Sequence, residues 1–286
     1  AMQTFNTEVL KIIKRKNISL PDFHTLLDLG AKKGIPISTE LILGLPGETA
    51  ESYKKGIAYC IEHSIVYYVS LLTNLQNSEM NDKTYRETYE IKSIEMVDPS
   101  GSSTTDTNDL VVSHSHLTEQ EYVDLVIWNW LVTCLYCYKS ANHIIKAIVS
   151  RGRNTHELLD AIVNKLRNDS CVSAFISGYA NHVQEGTTYA LSANGVNEAD
   201  IRIITALYEQ PIEEQYKWWS SFTNVTYDDI MHQHLSVNRS YSDSNEQYKS
   251  TLYKSRPIPA RYTNWQAWVI TTRWNNNAER YVKELT

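Results

Sequence analysis

The stretch ELILGLPGET, Glu40 to Thr49, decides the fold of the first part of the chain. Its apolar residues run into a Gly-Pro-Gly turn and then into an amphipathic segment, which predicts a buried strand, a tight turn and a helix. Glycine-rich turns between a strand and a helix often hold phosphates. This turn lacks the lysine of a P-loop and the third glycine of a dinucleotide-binding turn, and it carries Glu48. We therefore interpret Pro46 and Gly47 as shaping the turn rather than binding phosphate.

Helical and strand patterns alternate around this stretch through residues 1–98. The alternating segments are a helix at 7–16, a helix at 19–34, a strand at 35–43, a helix at 50–64 and a strand at 65–73. Strands separated by helices of this length indicate βα units around a parallel sheet or barrel. The predicted fold class of this domain is therefore α/β.

The pattern changes after residue 98. Residues 99–109 are polar and rich in Ser and Thr, which predicts a flexible linker. A short strand at 110–115 precedes a capping-box pattern at Thr118 and Glu121, which predicts the start of a long apolar helix. Most of 110–286 has helical patterns, so we predict a mostly α-helical C-terminal domain that contacts the substrate or a partner.

Composition limits the classes of function. The 286 residues carry a net charge of -6, which argues against a nucleic-acid-binding protein. No apolar run is long enough to predict a membrane span, and the first residues lack the pattern of a signal peptide. The four cysteines form no disulfide framework. These features predict a cytoplasmic protein that binds neither membrane nor nucleic acid.

Three segments together resemble the radical S-adenosylmethionine (SAM) superfamily. ELILGLPGET resembles the fifth-strand segment of that barrel, and MQTFNTEVLKIIKRKN, residues 2–17, resembles its fourth-strand segment with the helix that ends at Lys14, Arg15 and Asn17. YYVSLLTNLQNSEM, residues 67–80, resembles the sixth strand. The resemblance implies a partial (βα) barrel of parallel strands that forms the C-terminal half of a radical SAM domain.

The resemblance also implies a SAM site at the strand ends. Gln3 and Thr4 correspond to the ribose side, and Ile42 and Leu43 to the neighbours of the adenine. Packing inside the barrel is an equal alternative for Ile42. The other cofactor-binding positions implied by the resemblance are Gly44, which would allow close backbone approach, and Thr73 and Asn74 at the end of the sixth strand.

The cysteine motif of the superfamily, CxxxCxxC, is not found in this sequence. That motif holds the [4Fe-4S] cluster that reduces SAM. Cys134 and Cys137 form a CxxC, but the remaining cysteine of the motif would fall at position 130, which is Trp130. The surrounding residues also predict a helix interior rather than a cluster-binding loop. We therefore predict no metal ligands, and we interpret these cysteines as apolar core residues. The catalytic residues remain unknown.

We expect the chain to be the C-terminal portion of a longer radical SAM oxidoreductase, inactive alone, that acts on an unidentified small molecule or peptide. The stretch LVVSHSHLTEQEY, residues 110–122, loosely resembles cobalamin-dependent members, which makes cobalamin a further candidate cofactor of the whole protein. A barrel that lacks strands exposes an edge, so a homodimer that covers this edge is expected. The alternative is a non-catalytic binding or interaction protein built on a degenerate half-barrel.

Two histidine pairs and a set of tryptophans are weaker candidates. His114 with His116, and His232 with His234, have a spacing that places both side chains on one face of a strand, where two imidazoles can meet one metal. No acidic or cysteine partner supports either pair, so polar or hydrogen-bonding roles are favoured. The tryptophans are interpreted as helix packing rather than as walls of a stacking site; they are Trp218, Trp219, Trp265, Trp268 and Trp274.

Overall fold

The computed structural model describes most of the first 168 residues and a few later ones. The described residues are 2–35, 37–75, 78–95, 109–137, 141–168, 217–222 and 229. The predictions for His232, His234 and the last three tryptophans lie outside them, as do most of the 99–109 segment and most of the predicted helices beyond residue 168. The boundaries proposed at residues 98 and 109 therefore stay predictions.

The described residues up to 168 form seven helices and five strands, and residues 217–220 are also helical. The helices are α1 Thr7–Ile12, α2 Leu20–Lys33, α3 Ala50–Glu62, α4 Lys83–Thr88, α5 Glu119–Tyr136, α6 Asn142–Ser150 and α7 Thr155–Arg167. The strands are β1 Ser38–Leu43, β2 Val66–Leu71, β3 Thr73–Asn74, β4 Lys92–Glu95 and β5 Asp109–Ser113. A 3-10 turn covers Glu79–Asn81. The predicted helices at α1, α2, α3 and α5 and the predicted strands at β1, β2 and β5 are confirmed, whereas α4, β3 and β4 had no prediction.

Local side-chain caps explain where the early helices begin. The Asn6 side chain accepts from the Glu8 and Val9 amides at the start of α1, and Ser19 accepts from the Asp22 amide at the start of α2. At α5, the predicted capping box is confirmed, because Glu121 accepts from the Thr118 amide at 2.8 Å.

The strands form two sheets. β1 and β2 pair in parallel from Ser38↔Val66 to Leu43↔Leu71, and Gln3 adds a parallel bridge to Leu41 on the other side of β1. β3, β5 and β4 form an antiparallel sheet in that order. The predicted parallel arrangement thus holds for β1 and β2 but not for β3, β4 and β5. The sequence between β4 and β5 lacks the pattern of a crossover helix, and strands joined without one pair antiparallel.

Leu72 joins the two sheets. Its amide donates to the Leu43 carbonyl at 2.9 Å, and its own carbonyl accepts from the Val111 amide at 3.0 Å. The chain therefore pairs with β1 before Leu72 and with β5 after it. This change of partner ends the parallel ladder where β1 enters the Gly-Pro-Gly turn, so that the turn, β3 and β5 lie together.

One face of the parallel sheet is buried and the other is open. Leu41, Leu43 and Tyr67 are buried on the side of α3, which contacts β2. On the opposite face Glu40 is exposed, and the Tyr68 side chain is 52% exposed. Parallel strands usually carry cover on both faces, so one open face is unusual.

The chain divides into two compact units, and the described residues up to Trp130 belong to the first. The second unit begins at Leu131 and includes α6 and α7, whose buried residues recur at helical spacing, as in Ile144 and Ile148. The described residues of this unit are helical, as the sequence predicts. No helix in the described parts of the chain is long and apolar enough to cross a membrane.

Candidate functional site

The GLPGE sequence forms a tight turn that requires glycine at position 47. The Glu48 amide donates to the Leu45 carbonyl at 3.0 Å, with Pro46 and then Gly47 between them. Gly47 has a φ of +87°, so this is a type II turn, which takes proline first and glycine second. A Cβ on Gly47 would lie 2.4 Å from Ile12 Cδ1. The prediction that Pro46 and Gly47 shape a tight turn is confirmed, whereas their not binding phosphate stays a prediction.

Glu48 connects this turn to the first residues of the chain. Its side chain is only 3% exposed, and its two oxygens accept hydrogen bonds from the hydroxyls of Thr4 and Ser52. The Asn6 side-chain amide donates to Ser52 Oγ at 2.8 Å, which extends the network to the cap of α1. Burial raises the pKa of Glu48, and the hydrogen bonds from Ser52, Thr4 and Asn6 oppose that rise. The carboxyl group therefore holds the start of α1 against the start of α3.

A cavity of about 450 Å³ lies beside this network, at the end of β1 and β2. Its volume is within the roughly 300–1,000 Å³ typical of small-molecule pockets. One side is apolar and the mouth is polar and charged. The lining residues are Gln3, Ile12, Ile13, Lys14, Arg15, Ile42, Leu45, Leu72, Thr73, Leu75, Ser78, Glu79, Met80 and Tyr85.

Three of the seven cofactor-binding residues implied by the sequence line this one cavity. Gln3, Ile42 and Thr73 come from three separate segments, and each reaches the cavity from the end of a strand or bridge. Ile42 is half-buried and also packs on the apolar cluster that contains Leu45 and Leu72. The packing role and the lining role proposed for Ile42 are therefore compatible.

The other four predicted residues are buried close by but do not line the cavity. The Thr4 hydroxyl is bound to Glu48, and Leu43 is fully buried. Gly44 has a φ of +95°, and a Cβ there would lie 3.3 Å from Tyr122 Cε2. Packing against Tyr122 and the backbone conformation thus both favour glycine at this position.

Asn74, the last residue of β3, is bonded to the segment that follows the strand. Its Nδ2 donates to Asn81 Oδ1 at 2.9 Å, and its Oδ1 accepts from Ser78 Oγ at 3.2 Å. These two bonds hold the 3-10 turn against β3. Asn74 therefore shapes the cavity wall that contains Ser78 and Glu79 without lining the cavity itself.

Arg15 and Lys14 supply the positive charge of the cavity, and the sequence did not assign them to the site. Arg15 Nε donates to Gln3 Oε1 at 3.0 Å. The terminal nitrogens of Arg15 have no acceptor among the described residues. Lys14 pairs with Glu79 across the mouth. The signal in the sequence was the pair Lys14–Arg15 at the end of α1, which contributed only to the resemblance.

Lys14 and Arg15 are placed by the C-terminus of α1. Lys14 has a φ of +52°, the Lys14 amide donates to the Lys11 carbonyl, and the Arg15 amide donates to the Leu10 carbonyl at 2.8 Å. This is a Schellman motif with lysine where glycine is usual. The Tyr85 hydroxyl donates to the Ile12 carbonyl at 3.3 Å, which closes the same helix end.

Tyr85 is also the aromatic wall of the cavity. Burial, followed by the neighbouring Tyr89 and Glu79, raises its pKa to about 12, so the phenol is neutral at physiological pH. A neutral hydroxyl remains a hydrogen-bond donor to the α1 carbonyl. The wall therefore keeps its hydrogen bond at neutral pH and well above it.

The cysteines and histidines of the described residues do not form a metal site. Cys134 is buried in α5, and Cys137 follows the end of that helix. Within the described ranges, no three His, Cys, Asp or Glu side chains lie together as a metal site would require. This part of the chain therefore does not fit an iron–sulfur cluster, which cysteine thiolates hold.

The ring centroids of His114 and His116 lie 6.3 Å apart. His114 Nδ1 accepts from the His116 amide at 3.2 Å, so the proton lies on Nε2, which is buried without a hydrogen-bond partner in the described structure. Burial, with a smaller contribution from His116, lowers the pKa of His114 to about 4. His114 is thus a neutral core residue at pH 7.

Comparison with known proteins relates a short part of the chain to radical SAM methyltransferases. A segment of 62 residues, 22% of this chain, is 45% identical to the cobalamin-dependent radical SAM methyltransferase TokK of Streptomyces tokunonensis. A segment of the same length is 42% identical to 2-(S-pantetheinyl)-carbapenam-3-carboxylate methyltransferase of Streptantibioticus cattleyicolor. The match covers only 9% of the length of either relative. No protein-family model matches the chain.

Proposed function

We propose that this chain is part of a radical SAM enzyme and that its cavity binds the adenosine part of SAM. The observation that carries the proposal is the meeting of Gln3, Ile42 and Thr73 in one cavity of about 450 Å³. The 45% identity of a segment to a radical SAM methyltransferase supports it independently. The substrate of the whole enzyme, its use of cobalamin and a homodimer that covers the barrel edge are parts of the same proposal.

The apolar side of the cavity suits the adenine. Ile42, Leu45 and Leu72 present aliphatic surface, on which a planar base gains dispersion contacts and loses contact with water. The polar side suits the ribose. Gln3 Oε1 accepts from Arg15, which leaves the Gln3 amide nitrogen as the donor for a ligand, and Thr73 offers a hydroxyl.

Arg15 extends the proposal to the amino-acid part of SAM. Its guanidinium is always charged, and its terminal nitrogens are arranged to donate two parallel hydrogen bonds to a carboxylate. Lys14 and Glu79 carry opposite charges and pair at the mouth, so their charges largely offset each other, and solvent screens what remains because both side chains are exposed. We therefore infer that Arg15 selects ligands that carry a carboxylate next to the nucleoside.

The iron–sulfur cluster of the whole enzyme would supply the electron that cleaves SAM. The described residues hold no group of side chains suited to it, so in this proposal its ligands would lie outside them. What this chain supplies is binding and orientation. Its adenosine wall fixes the base and ribose, and the apolar residues beneath exclude water from that side of the ligand.

Isothermal titration of the chain with SAM and with S-adenosylhomocysteine tests the site. We expect weak binding, with a Kd of roughly 10⁻⁵–10⁻³ M, because one wall of a site loses much of its contact energy to the cost of association. Ile42→Asp places a charge against the base and should weaken binding by about tenfold or more. Leu26→Asp, on the exposed face of α2, is the control and should leave binding unchanged.

Four outcomes would contradict the proposal. Nanomolar affinity, or iron–sulfur absorbance after reconstitution of the chain with iron and sulfide, would show that this chain carries more of the enzyme than we propose. Equal affinity of Ile42→Asp and the wild type would place the ligand elsewhere. No binding of either compound at millimolar concentration would favour the non-catalytic interaction protein instead.

A further inference from the structure

Gln3 has a strained backbone that no helix end explains. Its φ is +56°, and the Thr4 amide donates to the Met2 carbonyl at 2.6 Å, which closes a three-residue γ-turn around it. The γ-turn with a positive central φ is the rare and strained form. In the described parts of the chain, the other non-glycine residues with positive φ each come just after the C-cap of a helix; they are Lys14, Ser64 and Glu90. Strain of this kind persists only where the surroundings enforce it.

The parallel sheet holds one edge of this turn. The Gln3 amide donates to the Glu40 carbonyl at 2.8 Å, and the Ile42 amide donates to the Gln3 carbonyl at 2.8 Å. The Met2 amide also donates to Thr39 Oγ1 at 3.0 Å. These bonds fix the register of Gln3 on β1. They do not involve the carbonyls of Met2 and Thr4, the residues on either side of Gln3.

Asn17 holds the other edge. Its Nδ2 donates to the Met2 carbonyl at 2.6 Å and to the Thr4 carbonyl at 2.9 Å, so one amide group bridges the two ends of the γ-turn. Asn17 comes two residues after Arg15, which bonds the Gln3 side chain itself. Backbone and side chain of Gln3 are therefore held from the same segment.

We propose that Asn17 is a positioning residue for the ligand site, which acts by keeping Gln3 in its left-handed conformation. Without the bridge, residues 2–4 lose the bonds that offset the strain, and Gln3 relaxes toward an extended conformation. Its side chain then leaves Arg15 and the cavity. The effect on ligand affinity rests on the proposed adenosine site, whereas the effect on the backbone of residues 2–4 does not.

The test compares Asn17→Ala with Asn154→Ala by two measurements. Asn154 caps α7 in the second unit through the Glu157 amide, so its loss also destabilises a helix but leaves Gln3 untouched. Amide hydrogen exchange reports on the Ile42 amide, which bonds the Gln3 carbonyl. Titration reports the Kd for S-adenosylhomocysteine.

We expect Asn17→Ala to speed exchange of the Ile42 amide by about tenfold and to raise the Kd by about tenfold, because the competent conformer becomes a minor one. Asn154→Ala should change neither. Asn17→Ser keeps one hydrogen-bond donor, so its exchange rate and its Kd should lie between those of the wild type and Asn17→Ala. It replaces the alanine variant in both measurements if that variant fails to fold.

Exchange of the Ile42 amide at the wild-type rate in a folded Asn17 variant would overturn the proposal. Faster exchange with an unchanged Kd would also overturn it, since Asn17 would then be structural only. If the wild type does not bind S-adenosylhomocysteine at all, the adenosine site fails. In that case the exchange measurement still decides whether Asn17 holds Gln3.

Discussion

Gly47→Ala should destabilise the first unit by more than the backbone cost of alanine at a positive φ. That backbone cost is about 1–2 kcal/mol for an L-residue in the left-handed region. At Gly47 the new Cβ would also lie 2.4 Å from Ile12 Cδ1, where carbon atoms normally approach to about 3.5–4.0 Å. Relieving that overlap adds about 1–3 kcal/mol, so the total loss should be about 2–5 kcal/mol.

Ile12→Val is the matched change that isolates the overlap. It removes Cδ1, and the next atom, Ile12 Cγ1, lies 3.7 Å from the position that the alanine Cβ would take, an ordinary contact. The double variant should therefore recover the overlap energy of about 1–3 kcal/mol as a coupling term. Gly34→Ala, where the φ is +65° and a Cβ would meet nothing within 4 Å, should show the backbone cost alone.

Urea unfolding, monitored by circular dichroism, gives the free energy of unfolding of the wild type and the four variants. The packing argument is refuted if Gly47→Ala and Gly34→Ala lose the same free energy of unfolding, or if the coupling with Ile12→Val is below about 0.5 kcal/mol. Because Ile12 lines the cavity, Gly47→Ala should also weaken binding of S-adenosylhomocysteine, and Ile12→Val should restore part of it.

Two further predictions concern buried polar groups. The pKa of His114 is lowered from its ordinary value near 6.5 to about 4 in the folded protein. Neutral His114 therefore supports the folded state fully above pH 6.5, and this stability is lost as the pH falls from 6.5 toward 4. Between pH 7 and pH 5 the wild type should lose about 1–2 kcal/mol more than His114→Gln in urea unfolding, and parallel curves would contradict this. Tyr53→Phe should cost about 1–3 kcal/mol of unfolding free energy, because it removes the hydroxyl that donates to buried Asn129 Oδ1. Tyr122→Phe should be neutral or stabilising by up to about 1 kcal/mol, because the buried Tyr122 hydroxyl has no hydrogen-bond partner among the described residues. Equal losses in thermal or urea unfolding for the two tyrosine variants would be inconsistent with these contacts.

Most helices and strands of the first unit were predictable because their signals are local. The Ser19 cap, the capping box at Thr118 and the glycine after α2 lie next to the elements that they begin or end. β3 and β4 are short, and their pairing with β5 involves residues far apart in sequence, so no local pattern predicted them. The antiparallel direction of that sheet also depends on this pairing between distant residues, so the sequence did not predict it.

The site was predictable only in part, for a related reason. Ile42 and Thr73 were named because the resemblance to the radical SAM superfamily places them at the ends of its fifth and sixth strands, and both line the cavity. Arg15 was missed because its role depends on the Gln3 side chain, which reaches it through the shape of the α1 terminus. The assignment of Gly44 to the ligand stays a prediction; what the structure adds is that a Cβ at this position would lie 3.3 Å from Tyr122 Cε2, a contact that the sequence did not indicate.

By itself, the sequence determined the type II turn of GLPGE, the helices around it and the alternation of strand and helix. These depend on backbone preferences, caps and periodicity, which neighbouring residues encode. Only the tertiary structure decided that Glu48 binds Thr4, that Asn17 bridges Met2 and Thr4, and that Gln3 is held under strain beside the cavity. Hydrogen bonds between distant segments depend on how those segments pack, and no spacing along the chain specifies them.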